Sequence, residues 1–176
     1  MSYRLEFAVL PDEAATARTR YEQCDDEECE HVPSCDDAYF ELVAPHQMHL
    51  TIVEMARALS GMRRFALVHE ATPIEFEGPF YNWEEWQALG ADERAEYSRR
   101  ERIHQSQTVA GATGIANFKL ESNGPWIVTV SEIRGALDAY RLVPDEARAD
   151  AEADEQWVCW IDWLRRSARN GGFIVN

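Results

Sequence analysis

The sequence predicts an α+β domain in which a small, mostly antiparallel sheet packs against three to four helices. Three observations predict it. Residues 3–10 alternate with period two, so that Tyr3, Leu5, Phe7 and Val9 share one face and Arg4 and Glu6 the other, the pattern of a strand with one buried side. Trp157, Trp160, Ile161, Leu164 and Ala168 follow at helical spacing and draw one apolar stripe along a helix. Asn170-Gly171-Gly172 then stops that helix, and Phe173-Ile174-Val175 returns as a final strand. At 176 residues, with no repeat, linker or low-complexity tract, residues 1–176 read as a single domain.

The elements between follow in order. Pro11 ends the first strand, and Asp12-Glu13-Ala14-Ala15 opens a short helix with Pro at its first turn. From Tyr21 to Ala56 there is no Lys or Arg, while acidic residues accumulate; residues 22–37 are expected to form a mobile acidic loop and Ala38–Val43 a short strand. Thr51-Ile52-Val53-Glu54 has capping-box spacing, with Ile52, Met55, Ala56 and Leu59 at helical intervals and Gly61 as the stop. Phe65–His69 and Ile74–Phe76 read as strands. Asn82-Trp83-Glu84-Glu85 repeats the capping box and opens a short helix that Gly90 closes. Asp92 is expected to cap the next helix, where Arg94, Arg99, Arg100 and Arg102 are balanced by Glu93, Glu96 and Glu101 on a solvated face. In residues 116–130, Ala116, Phe118 and Leu120 alternate with polar residues, then come Ser122-Asn123-Gly124-Pro125 and Trp126, Val128 and Val130, which predicts a β-hairpin. Pro125 has no N–H to close a two-residue turn, so the turn is expected to be open or longer. Thr129-Val130-Ser131-Glu132 caps a further helix through Tyr140.

Composition bounds the function. The chain carries 32 Asp+Glu against 17 Lys+Arg, a formal charge of −15. Hydrophobic residues at 45% and aromatics at 11% supply a core and exclude wholesale disorder. A pI near 4.7 argues against nucleic acid as a partner, because a phosphate backbone needs a basic face. No apolar run approaches the ~20 residues that span a bilayer, and Met1 to Glu6 lacks a signal peptide's apolar stretch, so a cytoplasmic protein with no membrane partner is expected. Sixteen of the seventeen basic residues are Arg, Lys119 being the only Lys. Either a GC-rich genome, as in actinobacteria and their viruses, or adaptation to high salt fits that bias.

One cluster of soft ligands stands out. Cys24, Cys29, His31 and Cys35 place three thiols and an imidazole within twelve residues, a donor set that could close a structural, tetrahedral zinc site. The alternative is an acidic loop with three reduced thiols. His46 and His49 would share a face if helical and could replace His31 as ligands. Cys159, beside the tryptophan stripe, reads as a packed core thiol. Catalytic motifs are missing: there is no Gly-x-Ser-x-Gly elbow, P-loop, Rossmann fingerprint or His-Glu-x-x-His. Gly111-Ala112-Thr113-Gly114 lacks the Lys and Ser/Thr of a phosphate loop, and His69-Glu70 is an acid/base pair without a third member.

Gly114-Ile115, Phe118-Lys119-Leu120, Ser122 to Thr129 with Glu132, and the end from Trp160 to Leu164 and Gly171 to Val175 resemble a family of small uncharacterised proteins encoded by bacteriophages and prophages of actinobacteria. The resemblance lies mainly over residues 114–176. The family pattern at the turn reads Ser-Asn-Asp-Gly-Trp, where this chain has Gly124-Pro125 before Trp126. It implies context alone: a viral accessory protein acting in the host cytoplasm.

The function expected is therefore a non-enzymatic, phage-type accessory protein that binds a host or viral macromolecule, a protein partner, through its acidic surface, with DNA mimicry as one form of this. Two alternatives stand beside it. One is a small zinc-stabilised module. The other is an enzyme of unrecognised type, its site near residues 99–126, where the Arg99–His104 segment would meet the Ser122–Trp126 turn.

Overall fold

In the computed structural model, the described residues are 2–24, 35–122 and 124–176. They form an α+β fold whose four-stranded antiparallel sheet has the order β2-β1-β6-β5. Strand β1 (Ser2–Phe7) is central, pairing with β2 (Gln47–Thr51) on one side and β6 (Phe173–Val175) on the other; β5 (Trp126–Val128) pairs with β6 at the edge. The chain's start and its end are thus hydrogen-bonded neighbours.

The register sorts the side chains. Leu5 lies opposite Val175, and Phe7 opposite Phe173, which in turn lies opposite Val128. These residues share one face and are buried with residues from three amphipathic helices, α3 (Ile52–Arg64), α7 (Val130–Arg141) and α9 (Glu155–Ser167). The stripe predicted for the last helix is its buried face: Trp157, Trp160, Ile161 and Leu164 are buried, and Trp163 stacks on Phe7 at 4.6 Å. Two elements precede it: α7, and α8 (Asp145–Glu152), which a short turn separates from α9. Both predicted Thr boxes form. Thr51 accepts from the Glu54 N–H and Glu54 from the Thr51 N–H; Thr129 and Glu132 do the same.

The second face of the sheet is covered by α1 (Asp12–Gln23), which Pro11 precedes, and α2 (Cys35–Leu42). Ala14, Ala17, Ala38 and Val43 make a small separate core there. Glu6 points to this side and, contrary to expectation, is buried; it accepts from Arg18 of α1 and from Gln47 of β2. Its charge is tolerated because a guanidinium and an amide meet it. Val9, expected on the core face, is exposed, since β1 has already ended at Phe7.

Several expectations are corrected. Ala38–Val43 is not a strand: Cys35, Ala38 and the half-buried Leu42 repeat near every three and a half residues, and the segment is the helix α2. Gly61 does not stop α3 but lies within it, where the Trp157 ring fills the space its missing side chain leaves. Of the strands read at 65–69 and 74–76, only β3 (Val68–His69) forms, pairing in parallel with β4 (Ile115–Ala116). The hairpin at 116–130 is absent. Residues Phe118–Glu121 make one helical turn, α6, and β5 pairs with the C-terminal strand instead. Residues 114–120 are all buried, so the alternation of residue types there never corresponded to an alternation of exposure. Asp92 sits inside the first turn of α5 (Ala91–Gln105); Gly90 takes the cap position, its N–H donating to Glu93. The Asn82–Glu85 capping box opens α4 (Trp83–Ala88) as read.

Candidate functional site

Helix α5 buries none of its residues, and four of its members are arginines. What packs on it is the irregular segment 70–82, rich in aromatic rings but without helical or strand period. Two clamps fix that segment. Gln107 accepts from the Ile74 N–H at 2.7 Å and donates back to the Ile74 carbonyl at 3.3 Å, which is the two-way pairing a strand would have supplied. Arg100 donates to the Glu77 carbonyl and lies over the Phe76 ring.

Between these elements runs an unbroken chain of rings. Trp86 meets Tyr97 at 5.4 Å, Tyr97 meets Phe76 at 5.6 Å, Phe76 meets His104 at 5.3 Å, His104 meets Trp126 at 5.2 Å, and Trp126 meets Phe118 at 4.8 Å. These separations are those of favourable edge-to-face or tilted pairs. Two adjoining hollows of about 180 and 480 Å³ open along the chain and share Phe76, Phe80, His104 and Trp126 as walls. Trp126 is held by its indole N–H, which donates to Ser122 Oγ at 2.6 Å. The rim is markedly apolar for a surface: Phe80 is 80% exposed, Ile74 and Trp83 are 70% exposed, and Ile103 is also exposed.

The electrostatics lean acidic. Residues 70–105 hold nine Asp and Glu against four Arg. Arg99 is paired with Glu96, whose carboxyl is held below the usual range by that hydrogen bond. Burial, with Glu101 close by, pushes the Tyr97 hydroxyl above the ordinary tyrosine range, so it stays protonated as a donor. Chemically, the groove offers flat ring faces, one imidazole and a negative rim. Among the described lining residues, no Ser, Thr, Cys or Lys stands with His104 as a nucleophile.

The structure brings together the two segments named as a possible site, since His104 and Trp126 are in ring contact. It does not bring together the other candidates. Cys24 ends α1, and Cys35 is buried at the start of α2, whereas Cys29 and His31 lie outside the described residues, and with them the expected zinc cluster as a whole. Among the described residues no group of three or more His, Cys, Asp or Glu is placed to hold a metal. His46 ends a short 3₁₀ turn and packs on Phe7, while His49 is exposed on β2, so the two do not share a helix face. Cys159 is exposed rather than packed in the core. His69 and Glu70 turn to different partners, His69 to the Thr113 carbonyl and Glu70 to Arg63 and Asn117. Sequence reasoning missed Phe76, Phe80 and Tyr97. The available signal was a run of aromatics, Phe76 to Trp86, in a stretch without amphipathic period, where rings have no core to enter. No helix among the described residues is long and apolar enough to cross a membrane. No protein-family model, curated protein or solved structure matches the chain.

Proposed function

We propose that this protein is a non-enzymatic binding module, an accessory protein of phage type, that holds a basic protein partner in the aromatic groove between segment 70–82 and α5. The carrying observation is the continuous ring chain from Trp86 to Phe118 beside the exposed Phe80 and Ile74, on a face where carboxylates outnumber guanidinium groups. Ring faces attract cations, and an aromatic-lined groove accepts an extended peptide at little entropic cost when that peptide is stiffened by proline. The partner segment is therefore an extended stretch bearing Arg or Lys. The charge of −15 steers such a partner from a distance and repels nucleic acid.

Intrinsic tryptophan fluorescence provides the test, with a peptide of alternating Arg and Pro as probe. A saturable change is expected, lost in Trp126→Ala and weakened at least tenfold in Phe80→Ala, and declining as salt rises. Phe80 is exposed, so its removal leaves folding stability within about 0.5 kcal/mol and isolates the binding effect. An equal response to a Glu-Pro peptide, or binding untouched by Phe80→Ala, would overturn the reading.

A further inference from the structure

The smaller hollow of the groove, about 180 Å³, has a chemistry more specific than an affinity for basic chains. Nine residues line it, and five of them carry rings: Phe76, Phe80, Tyr97, His104 and Trp126. None of the five is buried, so their surfaces are open to a ligand. The rings do not form one flat stack. Phe76 meets Phe80 at 6.0 Å and 61°, Tyr97 at 5.6 Å and 78°, and His104 at 5.3 Å and 66°. Trp126 joins through His104 and Phe118 and is in ring contact with neither Phe80 nor Tyr97. The hollow therefore has aromatic walls of different inclination.

Its charge is one-sided. Glu101 is the only carboxylate of the lining, Glu75 lines the adjoining hollow, and no Lys or Arg lines either. Arg99 is engaged by Glu96, and Arg100 by the Glu77 carbonyl, which leaves Glu101 without an ion pair among the described residues. Glu101 is close enough to Tyr97 that its charge, second to burial, helps keep that phenol protonated. The Arg100 guanidinium already lies 5.8 Å from the Phe76 centroid, so a ring of this hollow holds a cation in the native protein.

The form of the cation follows from what the walls lack. A primary ammonium brings three N–H donors and a guanidinium at least as many, and each donor stripped of water needs an acceptor. Rings match such donors poorly, and His104 Nδ1 already faces the Gln107 amide nitrogen at 3.3 Å. A trimethylammonium carries the same charge, has no donor to satisfy, and packs its methyl groups on ring surfaces.

We infer that this hollow receives the trimethylammonium head of a methylated lysine, walled by Phe76, Phe80, Tyr97 and Trp126 and neutralised by Glu101. The site rests on the reading of the groove as a peptide site and names the side chain the peptide presents. A peptide is the source because the hollow adjoins the larger one, where Phe76, Phe80, His104 and Trp126 continue as shared walls for the flanking chain. The volume lies below the about 300–1,000 Å³ of pockets for drug-sized ligands and suits a head group.

The test uses the alternating Arg and Pro peptide with one central arginine replaced in three ways: by lysine, by Nε-trimethyl-lysine, and by the uncharged analogue with a tert-butyl group in place of the trimethylammonium. Calorimetry on the whole protein gives each affinity, and the comparison alters no protein residue. The trimethyl-lysine peptide is expected to bind about tenfold tighter than either of the others, as for a cation held against rings partly out of water. Glu101→Gln should weaken the trimethyl-lysine peptide severalfold and leave the tert-butyl peptide unchanged. Equal affinity of the lysine peptide, or of the tert-butyl peptide, would overturn the site while the groove reading stands. Failure of all three peptides and of the parent Arg-Pro peptide would remove both. Saturable binding of tetramethylammonium that the trimethyl-lysine peptide does not displace would overturn the peptide as source and identify a free quaternary amine.

Discussion

Lys119 shows how far a residue's position can depart from what its type suggests. It is fully buried, and its ammonium donates to the Ile127 carbonyl and to Glu132, both at 2.8 Å. Those bonds tie α6 to the edge strand β5 and to the cap of α7 in one stroke. Burial pushes the lysine below its ordinary range, while Glu132 pulls it back up. The folded state therefore releases this proton at lower pH than the unfolded chain, so stability from this group is fully present above the ordinary lysine value and is lost as pH falls through the lowered one. Lys119→Met should destabilise by about 3–5 kcal/mol, because Glu132 is left as an uncompensated buried charge. Denaturant titration at several pH values checks both the loss and the disappearance of the alkaline gain; a midpoint near wild type would show the pair to be dispensable.

At the scale of elements, α3 and α9 meet through a glycine. A Cβ at Gly61 would stand 2.5 Å from the Trp157 ring, which is itself pinned by its indole N–H to the Tyr140 hydroxyl at 3.0 Å. The ring cannot swing aside without losing that bond. Gly61→Ala should therefore cost about 1–3 kcal/mol by overpacking, even though alanine is the better helix former, and thermal unfolding should show it. A rise in Tm would mean that the Trp157 ring yields. The same glycine explains one misreading of the sequence: mid-helix glycine looks like a stop unless its partner is known, and Trp157 lies almost a hundred residues away. Elements set by local chemistry were legible, namely β1, the capped starts of α3, α4 and α7, and the tryptophan face of α9. The hairpin at 116–130 was not, because β5 chose a partner at the far end of the chain and because Asn117 and Lys119, polar by type, found partners that let them be buried. The groove was half legible. Its two walls were named at 99–104 and 122–126, but the third wall, Phe76 and Phe80, has no period, and its clamps, Gln107 and Arg100, act over distances in sequence that no local pattern records.

For the whole molecule, the division of labour runs between a core and an outer face. The sheet with α3, α7 and α9 holds the hydrophobic cluster, and none of Phe76, Phe80, Tyr97 or Trp126 is a member of it. The groove can thus change its side chains while the fold beneath is kept. The distribution of basic residues follows the same division, with the exposed cations all guanidinium and the sole ε-amine enclosed in the core. In consequence the side-chain surface of the native protein has no primary amine to acylate. Amine-reactive labels should modify Lys119 only in molecules that have opened around it, so the labelled fraction, measured by mass spectrometry against time, becomes a clock for unfolding. Labelling of Lys119 should rise with denaturant along the unfolding curve, and rapid modification under native conditions would show that the enclosure of Lys119 opens by itself.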